Sequence, residues 1–297
     1  MLFRSVTDHG GLYGVVRFAT AVAEAGIRPV IGVELELADA LVPDPHRVVI
    51  PVRRAPARDR YLVAPSPAPA DDGVPSRPRP QRALLPGRRA TVKEDLRGVG
   101  ERQRGPHLVL LARDPAGYRS LCRLLSHANL AGTKRVPRVT TDLLAQHVEG
   151  LVALSGCREG EIARRLLIGD RAGALAAAAR LAELYGRGDG PATAGCFLEL
   201  SHHLLPDDDW LVAETAALAD DLGLPVVVTN DVHYALPEDR ELHDVLTAIA
   251  HGRTLDTLAD LRRPDGESYL KSAADLLALP PGEPGFEAAH PAAARAW

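Results

Sequence analysis

The residues best suited to chemistry are a carboxylate and an imidazole two positions apart, Asp231 and His233, in the stretch V-V-V-T-N-D-V-H-Y from Val226 to Tyr234. A β-branched run leads into them, and on an extended backbone residues i and i+2 project from one face. Both side chains would then point the same way at the C-terminal mouth of a buried strand. An oxygen and a nitrogen donor so placed are what a hard or borderline divalent metal accepts. The plain alternative is a turn in which Asp231 caps the next helix and His233 is merely polar. Four more residues of ligand type stand at the limits of apolar runs: His9 after V-T-D, Glu34 after I-R-P-V-I-G-V, Cys157 after L-V-A-L-S-G, and His107 at the head of H-L-V-L-L-A. His107 opens its run where the others close theirs, so it fits a shared edge less well, and a satisfied strand-edge histidine is an equal reading. Cys157 taken alone is more often a small buried residue than a ligand. Together, imidazole, carboxylate and one thiol suit Zn²⁺, Mn²⁺ or Fe²⁺ better than Mg²⁺ or Ca²⁺.

The elements that must position these groups alternate between strand and helix. Val6 to His9 reads as the tail of a strand. Leu12, Val15, Val16, Ala19, Val22 and Ala23 follow at helical spacing, with Gly26 as a stop. Ile27–Val33 is then a second strand. Strand–helix–strand at this spacing is a βαβ unit with parallel strands, which places His9 and Glu34 on one sheet edge. Further strands are expected at His107–Ala112, Leu151–Ser155, Phe197–Leu200 and Val226 onward, and helices after Asp114-Pro115, at Thr140–Gly150, Glu161–Leu167, Ala172–Tyr185 and Asp207–Leu222. The recurring βα unit points to a parallel barrel or a doubly wound sheet. In a barrel, residues at the C-terminal strand ends converge on one site.

Residues 42–106 break the pattern with proline, arginine, alanine and glycine, as in A-P-S-P-A-P-A-D-D-G-V-P-S-R-P-R-P. So long a stretch without periodicity reads as a disordered surface insertion. A net charge of -4 gives no global basic field for nucleic acid. The three cysteines lack framework spacing, which fits a reducing cytoplasm. No apolar run approaches the ~20 residues of a membrane span, and M-L-F-R-S-V-T-D-H has no signal-peptide anatomy. A cytoplasmic protein without membrane partners is expected.

Five stretches carry a family resemblance: T-D-H-G-G-L-Y-G-V-V-R-F, G-I-R-P-V-I-G-V-E, H-L-V-L-L-A-R-D-P-A-G-Y-R-S-L, L-V-A-L-S-G-C-R-E-G-E-I-A and V-V-V-T-N-D-V-H-Y. They resemble the PHP (polymerase and histidinol phosphatase) domain, and more narrowly that of bacterial DNA polymerase III alpha subunits, error-prone alpha-type polymerases included. H-D-V-L-T-A-I and E-S-Y-L-K-S look like the stretch leading out of that domain. The resemblance implies a distorted (β/α)7 barrel with a divalent metal cluster, Zn or Mn with Fe as the further choice. The matching ligands are His9, Glu34, His107, Cys157, Asp231 and His233, with Asp8 orienting His9. It also implies DNA and other replisome subunits as partners, and 3′–5′ exonuclease or phosphoesterase chemistry.

The family's opening H-x-H motif is absent ahead of T-D-H. The expectation is therefore an incomplete barrel lacking its first strand and helix, spanning residues 1–250, with residues 251–297 starting the connection to a polymerase core. The palm aspartates of such polymerases have no counterpart here. Weak or no hydrolysis is expected of the chain as it stands. A stand-alone PHP phosphoesterase and a non-catalytic PHP module are the other readings.

Overall fold

The computed structural model describes residues 3–40, 42, 105–133, 136–258, 261–263, 265–272 and 275–276. The expected insertion at 42–106 lies almost wholly outside the described residues, as does most of 251–297 beyond residue 272. Everything that follows belongs to the larger of two compact units, formed by Met1–Pro45 and Gln103–Trp297.

The described residues form six strands and seven α-helices: β1 (Phe3–His9), α1 (Val15–Glu24), β2 (Arg28–Glu36), β3 (His107–Ala112), α2 (Pro115–Ala131), α3 (Thr141–Ala145), β4 (Leu151–Leu154), α4 (Glu161–Leu167), α5 (Arg171–Tyr185), β5 (Cys196–Ser201), α6 (Asp208–Leu222), β6 (Val226–Thr229) and α7 (Arg240–His251). The strands form one sheet in chain order, β1-β2-β3-β4-β5-β6. Local chemistry sets the helix starts. Asp114 takes the Gly117 N–H (2.8 Å) with proline at the first helical position of α2. Thr140 and Asp170 cap α3 and α5 in the same way. The expected helix at Thr140–Gly150 is shorter than its sequence pattern, closing at Ala145.

One expectation needs correction. β1 and β2 are parallel, as are β4, β5 and β6, but β3 runs antiparallel to both β2 and β4. The all-parallel sheet rested on a βα repeat throughout, and no helix is described between β2 and β3. The connection between β2 and β3 lies almost wholly outside the described residues, and the antiparallel register on both sides of β3 breaks the repeat. The result is a mixed α/β sheet of six strands rather than a parallel one.

The sheet is curled. At about 4.8 Å per strand spacing, the outer strands of a flat six-stranded sheet would lie roughly 24 Å apart. Yet the rings of His9, at the end of β1, and His233, just past β6, are 6.2 Å apart. The convex face packs on the helices. Val33, Leu35, Leu108, Leu110, Ala153 and Leu198 join Leu121, Leu124, Ile162, Ala178 and Leu218 in one core. Period-two alternation then sends the intervening strand residues to the concave face. Glu34, His107 and Glu199 are among them.

Candidate metal centre

The reversed β3 explains why His107 opens its strand and still meets the others. In the antiparallel register Glu36 faces His107 and Glu34 faces Val109, so Glu34 and His107 are diagonal neighbours on one face. His107 Nδ1 lies 2.6 Å from Glu34 Oε1, and His9 Nε2 lies 3.3 Å from Glu34 Oε2. His9 and Glu34 are paired across the parallel β1–β2 ladder, as the βαβ reading expects. Glu34 and His107 are buried, whereas His9 is half exposed. Burial lowers the His9 pKa against the opposing pull of Glu34. For His107 burial pulls the same way but is outweighed by the hydrogen bond and charge of Glu34, so its pKa is raised.

Cys157 arrives from the loop after β4, and that loop is fastened to His107. His107 N–H donates to the Glu159 carbonyl (2.9 Å). Gly156, at φ +87°, passes so close that a Cβ there would stand 2.5 Å from the His107 carbonyl oxygen. Burial pushes the Cys157 thiol well above its ordinary pKa, with Asp231 and Glu34 adding to the rise.

Asp231 and His233 lie beyond β6, which ends at Thr229. The extended-backbone argument for them is therefore corrected: Asp231 sits at φ +41°, in irregular chain beyond the strand. The two side chains still come together, with His233 Nε2 3.3 Å from Asp231 Oδ1. Nor does Asp231 cap a helix. Its Oδ2 takes the Arg263 guanidinium at 3.0 Å. This segment is held from both sides, by buried His203 on the Asn230 carbonyl (3.0 Å) and by Asn230 Nδ2 on the carbonyls of Glu267 and Tyr269 (2.7 Å each). Burial works to raise the Asp231 pKa, but the His233 hydrogen bond and the Arg263 charge override it and hold the carboxyl well below its usual range.

Two sets of donor atoms emerge, each lying within 4.8 Å of one another: His9, Glu34 and His107, and Glu34, Cys157 and Asp231. Glu34 belongs to both. His233 stands outside either set, against Asp231 and Arg263. Asp8 is used otherwise than expected: its Oδ2 accepts the Gly14 N–H (2.7 Å) and ties down the loop after His9. The donor chemistry fits a divalent ion of the zinc, manganese or iron kind. A buried thiol gives up its proton to such an ion, and paired imidazoles and carboxylates are its usual partners.

Sequence reasoning missed three residues here. Glu199 on β5 is half-buried with its Oε2 sealed from solvent and without a hydrogen bond among the described residues, while Oε1 accepts from the Thr229 hydroxyl. Burial pushes its pKa up to about 7. The signal was present in F-L-E-L, a single charge in an otherwise apolar strand. His243 on α7 stacks edge-on to His233 with centroids 5.4 Å apart. Arg263 follows no periodic element, and nothing in its spacing marks it.

Comparison with known proteins agrees with this geometry. The PHP domain family matches residues 4–203. The error-prone DNA polymerase of Nocardia farcinica is 36% identical over 283 residues, 93% of this chain and 22% of the relative. The DNA polymerase III subunit alpha of Thermus aquaticus is 32% identical over 284 residues (95% and 19%), and that of Saccharopolyspora erythraea 30% over 271 residues (91% and 20%). The chain thus spans about a fifth of the length of these curated relatives. A curled α/β sheet that gathers histidines, carboxylates and a cysteine at one edge, with this sequence likeness across it, places the chain in the PHP domain family.

Proposed function

We propose that the chain is the PHP portion of a bacterial DNA polymerase III alpha-type polymerase, error-prone types included, and that it carries a divalent metal centre. The observation that carries this reading is the sharing of Glu34 between two donor sets built from residues on, or just beyond, five different strands. His9, Glu34, His107, Cys157, Asp231 and His233 are the residues proposed to hold the metal. When bound, divalent ions supply Lewis-acid activation of water and neutralise phosphate charge, which is what phosphodiester hydrolysis requires. Glu34 orients two imidazoles at once, through one oxygen each. His9, the most exposed donor of its set, faces the solvent from which a DNA terminus would come. Hydrolysis of a terminal phosphodiester, as in 3′–5′ trimming, is the proposed chemistry, with DNA and replisome subunits as partners by family. Polymerisation belongs to the relatives' names and is assigned to no residue of this chain.

Occupation of Asp231 by Arg263 favours a second reading, a PHP module that supports a larger polymerase without hydrolysing anything. A gel assay on an end-labelled primer with Mn²⁺ or Zn²⁺ separates the two. Trimming that disappears in Asp231→Ala supports hydrolysis, and no trimming under any metal supports the structural module.

A further inference from the structure

The most unusual contact in the site is between an arginine and the donor atoms themselves. Asp231 Oδ1 and His233 Nε2 face each other at 3.3 Å. A single Arg263 nitrogen, Nη2, reaches both residues, 3.0 Å from Asp231 Oδ2 and in contact with His233 Nε2. Arg263 is thus the cation that the chain sets against both donor residues at once.

Resting on the metal-centre reading above, we infer that Arg263 is a built-in cation that holds the Asp231–His233 donor pair and that a divalent ion must displace it to complete the centre. The surrounding contacts make such an exchange local. The segment bearing Arg263 is fixed independently of the guanidinium: His233 N–H donates to the Ser268 carbonyl (2.8 Å), Asn230 holds the Glu267 and Tyr269 carbonyls, and Arg240 Nη2 donates to the Arg263 carbonyl (3.2 Å). Among the described residues, the guanidinium keeps one bond beyond its contacts with Asp231 and His233, Nη1 to Ser268 Oγ (3.0 Å), and about a quarter of the side chain, 26%, is open to solvent. Arg263 is on this account a positioning residue that sets the threshold for metal entry, so that weakly binding ions leave the pair latched.

The test is a zinc titration of the metal-free full chain against a chromophoric chelator, for wild type, Arg263→Gln and Arg263→Lys, with melting of each before and after zinc. Arg263→Gln is expected to bind zinc about tenfold tighter, a change within the usual range for two coupled ligands. Arg263→Lys should fall between. Metal-free Arg263→Gln should melt lower than wild type, and zinc should raise its melting point by more. Equal or weaker zinc binding by Arg263→Gln overturns the inference while leaving the metal centre standing. If neither chain binds zinc, the metal-centre reading fails and the inference falls with it. Should Arg263→Gln not melt cooperatively, Ser268→Ala loosens the guanidinium while keeping its charge; it should bind zinc a few-fold tighter, and unchanged affinity overturns the inference equally.

Discussion

His107 Nδ1 lies 2.6 Å from Glu34 Oε1 across two strands that run in opposite directions. The same carboxylate reaches His9 on its other side. One buried side chain thus orders two imidazoles, and its loss should be felt both with and without metal. Glu34→Gln leaves the buried His107 without its charge partner, and should lower metal-free stability by about 1–3 kcal/mol in urea denaturation. Zinc affinity should fall at least tenfold in the same variant. A variant as stable and as metal-competent as wild type would remove Glu34 from the centre of the account.

Cys157 distinguishes a ligand from a small buried residue. Substituted with Co²⁺, a thiolate-bound centre shows a sulfur-to-metal charge-transfer band in the near ultraviolet. The band should be present in wild type and absent in Cys157→Ser. Its absence from wild type would return Cys157 to the core. Because burial holds this thiol protonated, metal binding should also release protons, measurable in weakly buffered solution.

Glu199 gives the metal-free protein a pH dependence. Its folded pKa is pushed up to about 7 from an ordinary value of 4.5, so the folded state binds a proton that the unfolded chain has already released. Stability from this group is full below about pH 4.5 and is lost as pH rises through about 7. The raised His107 adds in the same direction, while His9 and His243, both lowered mainly by burial, oppose it by losing stability as pH falls below 6.5. Glu199→Gln should therefore flatten the melting profile between pH 5 and 8 and gain on the order of 2–3 kcal/mol over wild type at pH 8. A wild-type profile already flat there, with no gain in Glu199→Gln, would contradict the assignment.

The site depends on the helix layer behind it. Leu124 of α2 is fully buried beneath β2 and β3. Leu124→Ala should cost about 2–5 kcal/mol, depending on how far the cavity collapses. Chemical denaturation reads this directly, and a cost under 1 kcal/mol would mean that the core is looser than its packing implies.

Much of this was legible in the residues. The βαβ unit of His9 and Glu34 follows from helical periodicity between two apolar runs, and five of the six expected donor residues enter the two compact sets. The direction of β3 was not legible, because orientation depends on what connects two strands, and H-L-V-L-L-A reads the same in either sense. The D-x-H pair does lie side by side, but not on the extended backbone expected for it: a left-handed φ at an aspartate leaves no periodic trace. Glu199 was visible as a charge in an apolar strand but resembles any half-exposed edge residue. Arg263 reaches Asp231 only through tertiary contacts of a segment without secondary structure, which local patterns do not encode.

The most direct measurement is elemental analysis of protein purified without a metal-binding tag, with thermal melting before and after chelation. Near-stoichiometric zinc, manganese or iron and a melt that falls on chelation are predicted. No bound metal after exposure to these ions, with a melt indifferent to chelator, would contradict the claim that Glu34 and its partners form a metal centre.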